Sequence, residues 1–333
     1  MIYFFGDVHF SSLNPWNKEA GDNFIKFFKD NFKNEKRTNI AVFLGDIAEK
    51  DVNPGSVIDQ MTELFDFCSE VFLKTLVLTG NHDKKLHRGV VQTSLEFLNR
   101  FENVEVIETI KTFDVEGRKI LAMPHLRTEG ISLEEFYNSY DWSNQEHCDI
   151  AIGHWTIKIP GNKLCEDGVD IKKLPVDTVI CGHIHNRILP EYTGSCWPNK
   201  SSEMDIPDTK LPRCYKVWDT KSNKIDCVPW PIFLSYENIE YPNKIEEVPN
   251  CNYSRVFTVY NIKNKLEAVD YYSGHWIKST FIEKDKSTKD NIVKSDEADI
   301  FLFKDNKEAF HSMIKEQNLK VSRQAIKIVT DLL

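Results

Sequence analysis

Five short apolar runs in this chain each stop at a glycine, and each glycine is followed directly by aspartate, asparagine or histidine. Ile2 to Phe5 leads into Gly6-Asp7-Val8-His9, and Ile40 to Leu44 into Gly45-Asp46. Leu73 to Leu78 leads into Gly80-Asn81-His82-Asp83, Asp149 to Ile152 into Gly153-His154-Trp155, and Val179 to Cys181 into Gly182-His183-Ile184-His185. Runs of this length read as buried strands. His183 and His185 are two apart, so in extended backbone both rings point to the same side. Taken alone, those two could equally be ordinary loop histidines.

The spacing of the runs argues for more. Asp7 to Asp46 is 39 residues and Asp46 to Asn81 is 35, and each interval suits one βαβ unit. The intervening segments carry helical periodicity. Residues 22–32 place Phe24, Ile25, Phe27, Phe28 and Phe32 on one face, and residues 57–71 read as a second helix. In α/β sheets ligands collect at the carboxyl ends of strands, and a glycine there lets the backbone turn sharply and approach closely. Five strand ends emptying Asp, Asn and His onto one edge predict a metal centre.

The donor set also points to a chemistry. Carboxylate, amide oxygen and imidazole without thiolate suit a pair of Mn, Fe or Zn ions better than a structural zinc. Two such ions about 3.5–4 Å apart acidify water and clamp a phosphate oxygen, which is the chemistry of phosphoester hydrolysis.

Composition narrows the class. At 333 residues, one large domain plus a smaller one is expected. The apolar start, Met1 to Phe5, has neither the basic leader nor the length of a signal peptide and reads as a strand. No stretch approaches the roughly 20 apolar residues of a membrane helix. The eight cysteines contain no C-x-x-C pair, and Cys68 and Cys181 sit in apolar surroundings as buried thiols. A cytoplasmic setting and no membrane partner are expected. The net charge of −9 argues against gripping nucleic acid by bulk charge, though not against a local groove.

Asp7-x-His9, Gly45-Asp46, Gly80-Asn81-His82-Asp83, Gly153-His154 and Gly182-His183-Ile184-His185, in that order, resemble the signature of the calcineurin-like metallophosphoesterases. The resemblance implies an α/β fold with a four-layer α/β-sandwich core and two divalent ions, foremost Mn2+, with Mg2+, Fe2+ or Zn2+ as alternatives. By it, Asp7, His9, Asp46 and His185 hold one ion, and Asp46, Asn81, His154 and His183 hold the other, with Asp46 bridging. His82 would contact the phosphate and protonate the leaving oxygen. Asp83 would either orient His82 or serve as a turn or helix-cap carboxylate.

Gly194-Ser195-Cys196-Trp197-Pro198, followed by an acidic segment and a strand pair at Tyr215 to Trp218 and Lys224 to Val228, adds a second layer. It resembles nuclease subunits of the SbcD/Mre type, in particular the short bacteriophage versions. The likeness implies a DNA exonuclease or endonuclease serving recombination and repair, paired as a homodimer with an SMC-like ATPase of the SbcC type in a heterotetramer, in the host cytoplasm if phage-encoded. The expected layout is a nuclease domain at 1–238, a small α+β capping domain at 239–285, and a linker and helical ATPase-binding segment at 286–333. Phosphatase or phosphodiesterase activity of the same superfamily is the alternative, and an inactive scaffold is a second.

One position departs from that pattern. Cellular relatives commonly carry a histidine three residues after the bridging aspartate, where this chain has Glu49. A carboxylate facing the DNA would repel phosphate unless screened, and otherwise it faces solvent. Further DNA contacts are weaker candidates. His87 and Arg88 could touch phosphate or form a solvated loop, Trp155 and Trp197 could stack on a base or pack, and Pro124-His125 could be no more than a turn. His275 imitates a metal block behind a polar lead-in. Residues 284–299 read as a charged linker. Beyond it, Phe310, Met313 and Ile314 line one short helix, and Ile326 and Val329 line another that starts at Ser322. Those five are the expected partner-binding residues.

Overall fold

The structure is a computed structural model, and it describes residues 1–11, 15–35, 37–49, 54–87, 90–128, 130–163, 165–198, 211–240, 242–244, 253–260 and 278–281. The chain divides into two compact units, Met1–Ser235 and Tyr236–Leu333.

The first unit begins with the two expected βαβ units, β1 (Ile2–Phe5), α1 (Pro15–Phe32), β2 (Ile40–Phe43), α2 (Pro54–Val71) and β3 (Lys74–Leu78). Both helices start earlier than their clearest periodicity. In α1 the buried face runs back through Ala20 to Trp16, which sits behind a proline at the first helical position. A short hairpin, β4 (Lys84–His87) and β5 (Val90–Thr93), follows, and then β6 (Val104–Ile107).

From Val104 to Met123 the sequence shows shorter strand-like runs with a turn at Glu116-Gly117, a pattern closer to an antiparallel meander, but the stretch divides between two sheets. β6 joins the first sheet parallel to β3. β7 (Lys111–Val115) and β8 (Arg118–Met123) form a hairpin in a second sheet, across the expected turn at Glu116-Gly117. Both turn residues have positive φ, 53° and 77°, which matches the right-handed twist of the paired strands. After α3 (Leu133–Ser139) come β9 (Cys148–Gly153) and β10 (Val176–Cys181), each parallel to its neighbour. The expected strand pair is β11 (Cys214–Asp219) and β12 (Lys224–Pro229), antiparallel at the other edge of the first sheet.

The sheets therefore run β12-β11-β1-β2-β3-β6 and β10-β9-β8-β7. Alternation along each strand decides the layering. Ile2, Phe4, Val42, Leu44, Leu76 and Leu78 meet Ile120, Ala122, Ile150, Ile152 and Ile180 between the sheets. Residues of opposite parity face the helices: Phe5 packs 5.0 Å from Phe28 of α1, and Phe43 lies 5.1 Å from Phe65 of α2. On the far side, Leu121, Met123, Ala151 and Val179 cluster with Leu133 and Tyr137 of α3. The result is helices, sheet, sheet and helix. This is the expected four-layer α/β sandwich.

In the second unit, β14 (Ser254–Tyr260) pairs in parallel with β15 (Lys278–Phe281), and β13 (Leu234–Glu240) completes a three-stranded sheet. Arg255 forms an ion pair with Glu237, Nη2 to Oε2, at 2.5 Å. Helices expected beyond residue 300, with Phe310, Met313, Ile314, Ile326 and Val329, lie outside the described residues, as does His275. Among the described residues, no helix is long and apolar enough to cross a membrane.

Candidate metal centre

All five strand ends meet at one edge of the sandwich. Asp7 and His9 follow β1, Asp46 follows β2, Asn81 follows β3, His154 follows β9, and His183 and His185 follow β10. Three of these residues adopt left-handed backbone without being glycine: His9 at φ 52°, Asp46 at 48° and His183 at 77°. Such conformations cost on the order of 1–3 kcal/mol each and persist only where the surroundings hold them. Main-chain bonds do so here. His9 N–H donates to Asp46 O at 2.9 Å, His82 N–H to Asp46 Oδ1 at 2.7 Å, and His183 N–H to both oxygens of Asp7 at 3.0 Å. Gly80 makes room for this packing, because a Cβ there would fall 2.1 Å from Asp46 Oδ1.

Two clusters of donors result, and they share one atom. In the first, ligand atoms of Asp7, His9, Asp46 and His185 all lie within 4.8 Å of one another. Nε2 of His9 is 2.9 Å from Nε2 of His185 and 3.6 Å from Asp46 Oδ2. In the second, Asn81 Oδ1 is 3.0 Å from both His154 Nε2 and His183 Nδ1, and His154 Nε2 is 3.2 Å from Asp46 Oδ2. Asp46 Oδ2 thus faces both clusters.

The donor chemistry calls for a cation in each. His154 Nδ1 lies 2.8 Å from the Leu44 carbonyl, an acceptor only, so this nitrogen carries the hydrogen. A neutral ring then turns the lone pair of Nε2 toward the oxygens of Asp46 and Asn81, where only a proton or a metal ion can sit favourably. Burial pulls the His154 proton affinity down, but the Asp46 charge outweighs it and pushes the pKa up to about 9. Burial likewise raises the Asp46 carboxyl, and the imidazoles of His154, His9 and His82 overcome it and hold it well below the usual range. Burial and the neighbouring His154 charge drive His183 down to about 3, leaving it a neutral donor. Asp7 and Asp46 are both fully sequestered, at 0% and 1% exposure. Two buried carboxylates converging with imidazole nitrogens fit divalent ions, and the Leu44 carbonyl that orients His154 is the outer-sphere support such ligands use.

Around the clusters, the remaining candidates sort by contact. His82 stands edge-on to His9, ring centroids 4.8 Å apart, and is only partly buried. Asp83 does not play the orienting role offered for it. Its carboxylate is occupied by the N–H groups of Gly80 (2.8 Å), Ile47 (3.0 Å) and Ala48 (3.4 Å), so it clamps the loops after β2 and β3 together. Burial and the Asp46 charge raise it to about 7. The partner of His82 is Glu49, whose Oε1 is 2.6 Å from His82 Nδ1 while Oε2 is 3.2 Å from His9 Nδ1. Glu49 therefore faces the two histidines, with its side chain 20% exposed. They outweigh its burial and hold it well below the carboxylate range.

Trp155 is removed from the set of base-stacking candidates. It is 0% exposed and packs in the core with Tyr137, because Gly153 leaves a gap that the indole fills. Trp197 is equally buried, against Phe10, Phe24 and Phe233. His87 lies in β4 with its side chain outside the description, and Arg88 is outside the described residues. Cys68 and Cys181 are buried thiols as expected, and burial pushes both well up. Pro124-His125, which could have been no more than a turn, brings its histidine beside the second cluster, with the His125 ring 6.4 Å from that of His154.

Comparison with known proteins agrees with this geometry. The calcineurin-like phosphoesterase model matches residues 1–187, more than half of the chain, and this chain belongs to that family. It is a metallophosphoesterase-fold protein with a candidate metal site at Asp7, His9, Asp46 and His185. Among solved structures, a protein of unknown function from Aquifex aeolicus, AQ665, is 17% identical over 58% of this chain and 90% of its own, with a TM-score of 0.32. No curated protein matches.

Proposed function

We propose that this chain is a two-metal phosphodiesterase acting on DNA, the nuclease subunit of an SbcCD-like recombination and repair complex. The observation that carries the hydrolytic reading is the position of Asp46 Oδ2, 3.6 Å from His9 Nε2 and 3.2 Å from His154 Nε2, between two donor clusters. Asp7, His9, Asp46 and His185 would hold one ion, and Asp46, Asn81, His154 and His183 the second. A pair of divalent ions held there, foremost Mn2+, would supply Lewis-acid chemistry, acidifying water and drawing charge from a phosphoryl oxygen. The chain's own residues do the rest. His82, beside the first cluster and held by Glu49, donates the proton that the leaving oxygen needs. Asp83 keeps the loops carrying Asp46 and Asn81 in register.

Support for the nuclease reading comes from the segment that carried the finer resemblance. Ser195 N–H donates to His185 O at 3.1 Å and Cys196 N–H to Asp7 O at 2.9 Å, so Gly194 to Pro198 buttresses the first cluster from behind. A phosphatase or small-molecule phosphodiesterase is the second reading, and Glu49 is what favours it. A nuclease of this type would use that position to meet DNA phosphate, whereas here it faces His82. An inactive scaffold fits poorly with a complete donor set. Digestion of end-labelled duplex and single-stranded DNA in Mn2+, beside a phosphomonoester control, separates the readings. DNA cleavage is expected. Robust phosphomonoester turnover without DNA cleavage would select the phosphatase.

The partnership with an SMC-like ATPase is proposed on the sequence of residues 286–333, where short helices with Phe310, Met313, Ile314, Ile326 and Val329 need a surface to cover them. Deleting residues 300–333 should abolish co-purification with the ATPase and leave the melting temperature and Mn2+-dependent cleavage unchanged. A marked fall in melting temperature, or retained ATPase, would contradict it.

A further inference from the structure

Strands β8, β9 and β10 lie side by side and parallel, with Met123 level with Gly153 and Gly153 level with Cys181. Each delivers an imidazole to the same edge: His125 two residues past β8, His154 one past β9, and His183 two past β10. His154 and His183 belong to the second cluster. His125 stands outside it, half-buried, with its ring edge-on to His154 at 86° and 6.4 Å between centroids.

Its main chain is pinned from both directions. His125 N–H donates to Thr79 O at 2.8 Å, and the Thr79 hydroxyl donates to His125 O at 3.5 Å. Thr79 is itself fully buried and directly precedes Gly80-Asn81-His82. The segment carrying His125 is thus fixed to the loop that carries Asn81 and His82. His82 stands edge-on to His9 of the first cluster at 4.8 Å and 86°. His82 thus stands beside a histidine of the first cluster and His125 beside a histidine of the second.

We propose that His125 is a substrate-contacting residue that donates a hydrogen bond to a non-leaving oxygen of the phosphoryl group, from the side of the second cluster. The proposal rests on the phosphoester reading of the site. His82 serves the leaving oxygen, so the anionic non-leaving oxygens on phosphorus need donors of their own, and a neutral or charged imidazole beside the second cluster supplies an N–H. The second cluster already has four converging donors in Asp46, Asn81, His154 and His183, so His125 is not required as a ligand.

The test uses full-length chain loaded with Mn2+, comparing wild type, His125→Ala and His125→Gln. Binding of inorganic phosphate is measured by titration calorimetry, metal content by elemental analysis, and turnover with bis-p-nitrophenyl phosphate. Losing a hydrogen bond to a charged oxygen predicts that His125→Ala raises both the phosphate Kd and the KM about ten-fold, while kcat moves less than about threefold. His125→Gln, which keeps a donor, should recover most of the phosphate affinity, and all three proteins should hold the same Mn2+. An unchanged phosphate Kd, loss of an ion from His125→Ala, or equal damage from both substitutions would overturn the proposal. So would a wild-type chain that binds no phosphate. If wild type binds phosphate but hydrolyses no phosphoester, the hydrolase reading fails, and the calorimetry still decides for or against His125.

Discussion

Glu49 holds His82 at 2.6 Å and reaches His9 at 3.2 Å with its other oxygen, so a single carboxylate ties the proposed proton donor to a residue of the first donor cluster. Carboxylates that orient a histidine fix which ring nitrogen carries the proton. With Nδ1 lying against Glu49, Nε2 of His82 is the nitrogen left for the leaving oxygen.

Glu49→Gln should therefore lower kcat on DNA and on bis-p-nitrophenyl phosphate by the same factor, on the order of 10- to 100-fold, since it acts through His82 and its neighbour and not on the DNA. Steady-state kinetics on both substrates at saturating Mn2+ checks this. A loss confined to DNA would place the carboxylate at the substrate instead.

His82→Ala should cost about 10²- to 10⁴-fold in cleavage, the usual worth of a positioned acid, without changing metal content. Elemental analysis beside the rate measurement tests both halves of the statement. An ion lost from the variant would make His82 a ligand.

Asp83 carries a pH signature in the metal-free protein. Burial and Asp46 raise its pKa to about 7 from 3.8, so the folded chain binds a proton there that the unfolded chain releases. Its stabilising contribution is complete below about pH 4 and is lost as pH rises toward 7. Asp83→Asn has no such proton to lose. In chelator-treated protein the melting temperature of the variant relative to wild type should be higher at pH 7.5 than at pH 5. A difference that is flat across that window would show that Asp83 stays ionised.

Gly80→Ala should be destabilising by about 1–3 kcal/mol and should impair metal binding, because the added methyl meets Asp46 Oδ1 and the Asp46 backbone nitrogen. Thermal unfolding and Mn2+ content, measured together, test it. A variant with wild-type values for both would mean that the loop relaxes freely.

The strand-end residues were legible because their signal is local: an apolar run, a glycine and a ligand, repeated at βαβ spacing. The four layers follow from alternation, which separates Phe4 and Val42 from Phe5 and Phe43 within a few residues of chain. Strand partnership is not local. β6 and β7 are three residues apart yet belong to different sheets, and nothing between Ile107 and Lys111 announces it. The exchange of roles between Asp83 and Glu49 was hidden for the same reason. Asp83 adjoins His82 in sequence but spends its oxygens on backbone, whereas Glu49 comes from 33 positions upstream to reach the ring. Trp155 and Trp197 carried no mark of their burial, since an indole beside a site reads alike whether it packs or stacks.

The central claim is that Asp46 joins two metal positions into one centre. Equilibrium dialysis of wild type and Asp46→Ala against Mn2+, read by elemental analysis, tests it most directly. Two ions per wild-type chain and loss of both tightly bound ions from the variant are expected. Two ions retained by Asp46→Ala, or a single ion in wild type at saturation, would contradict it.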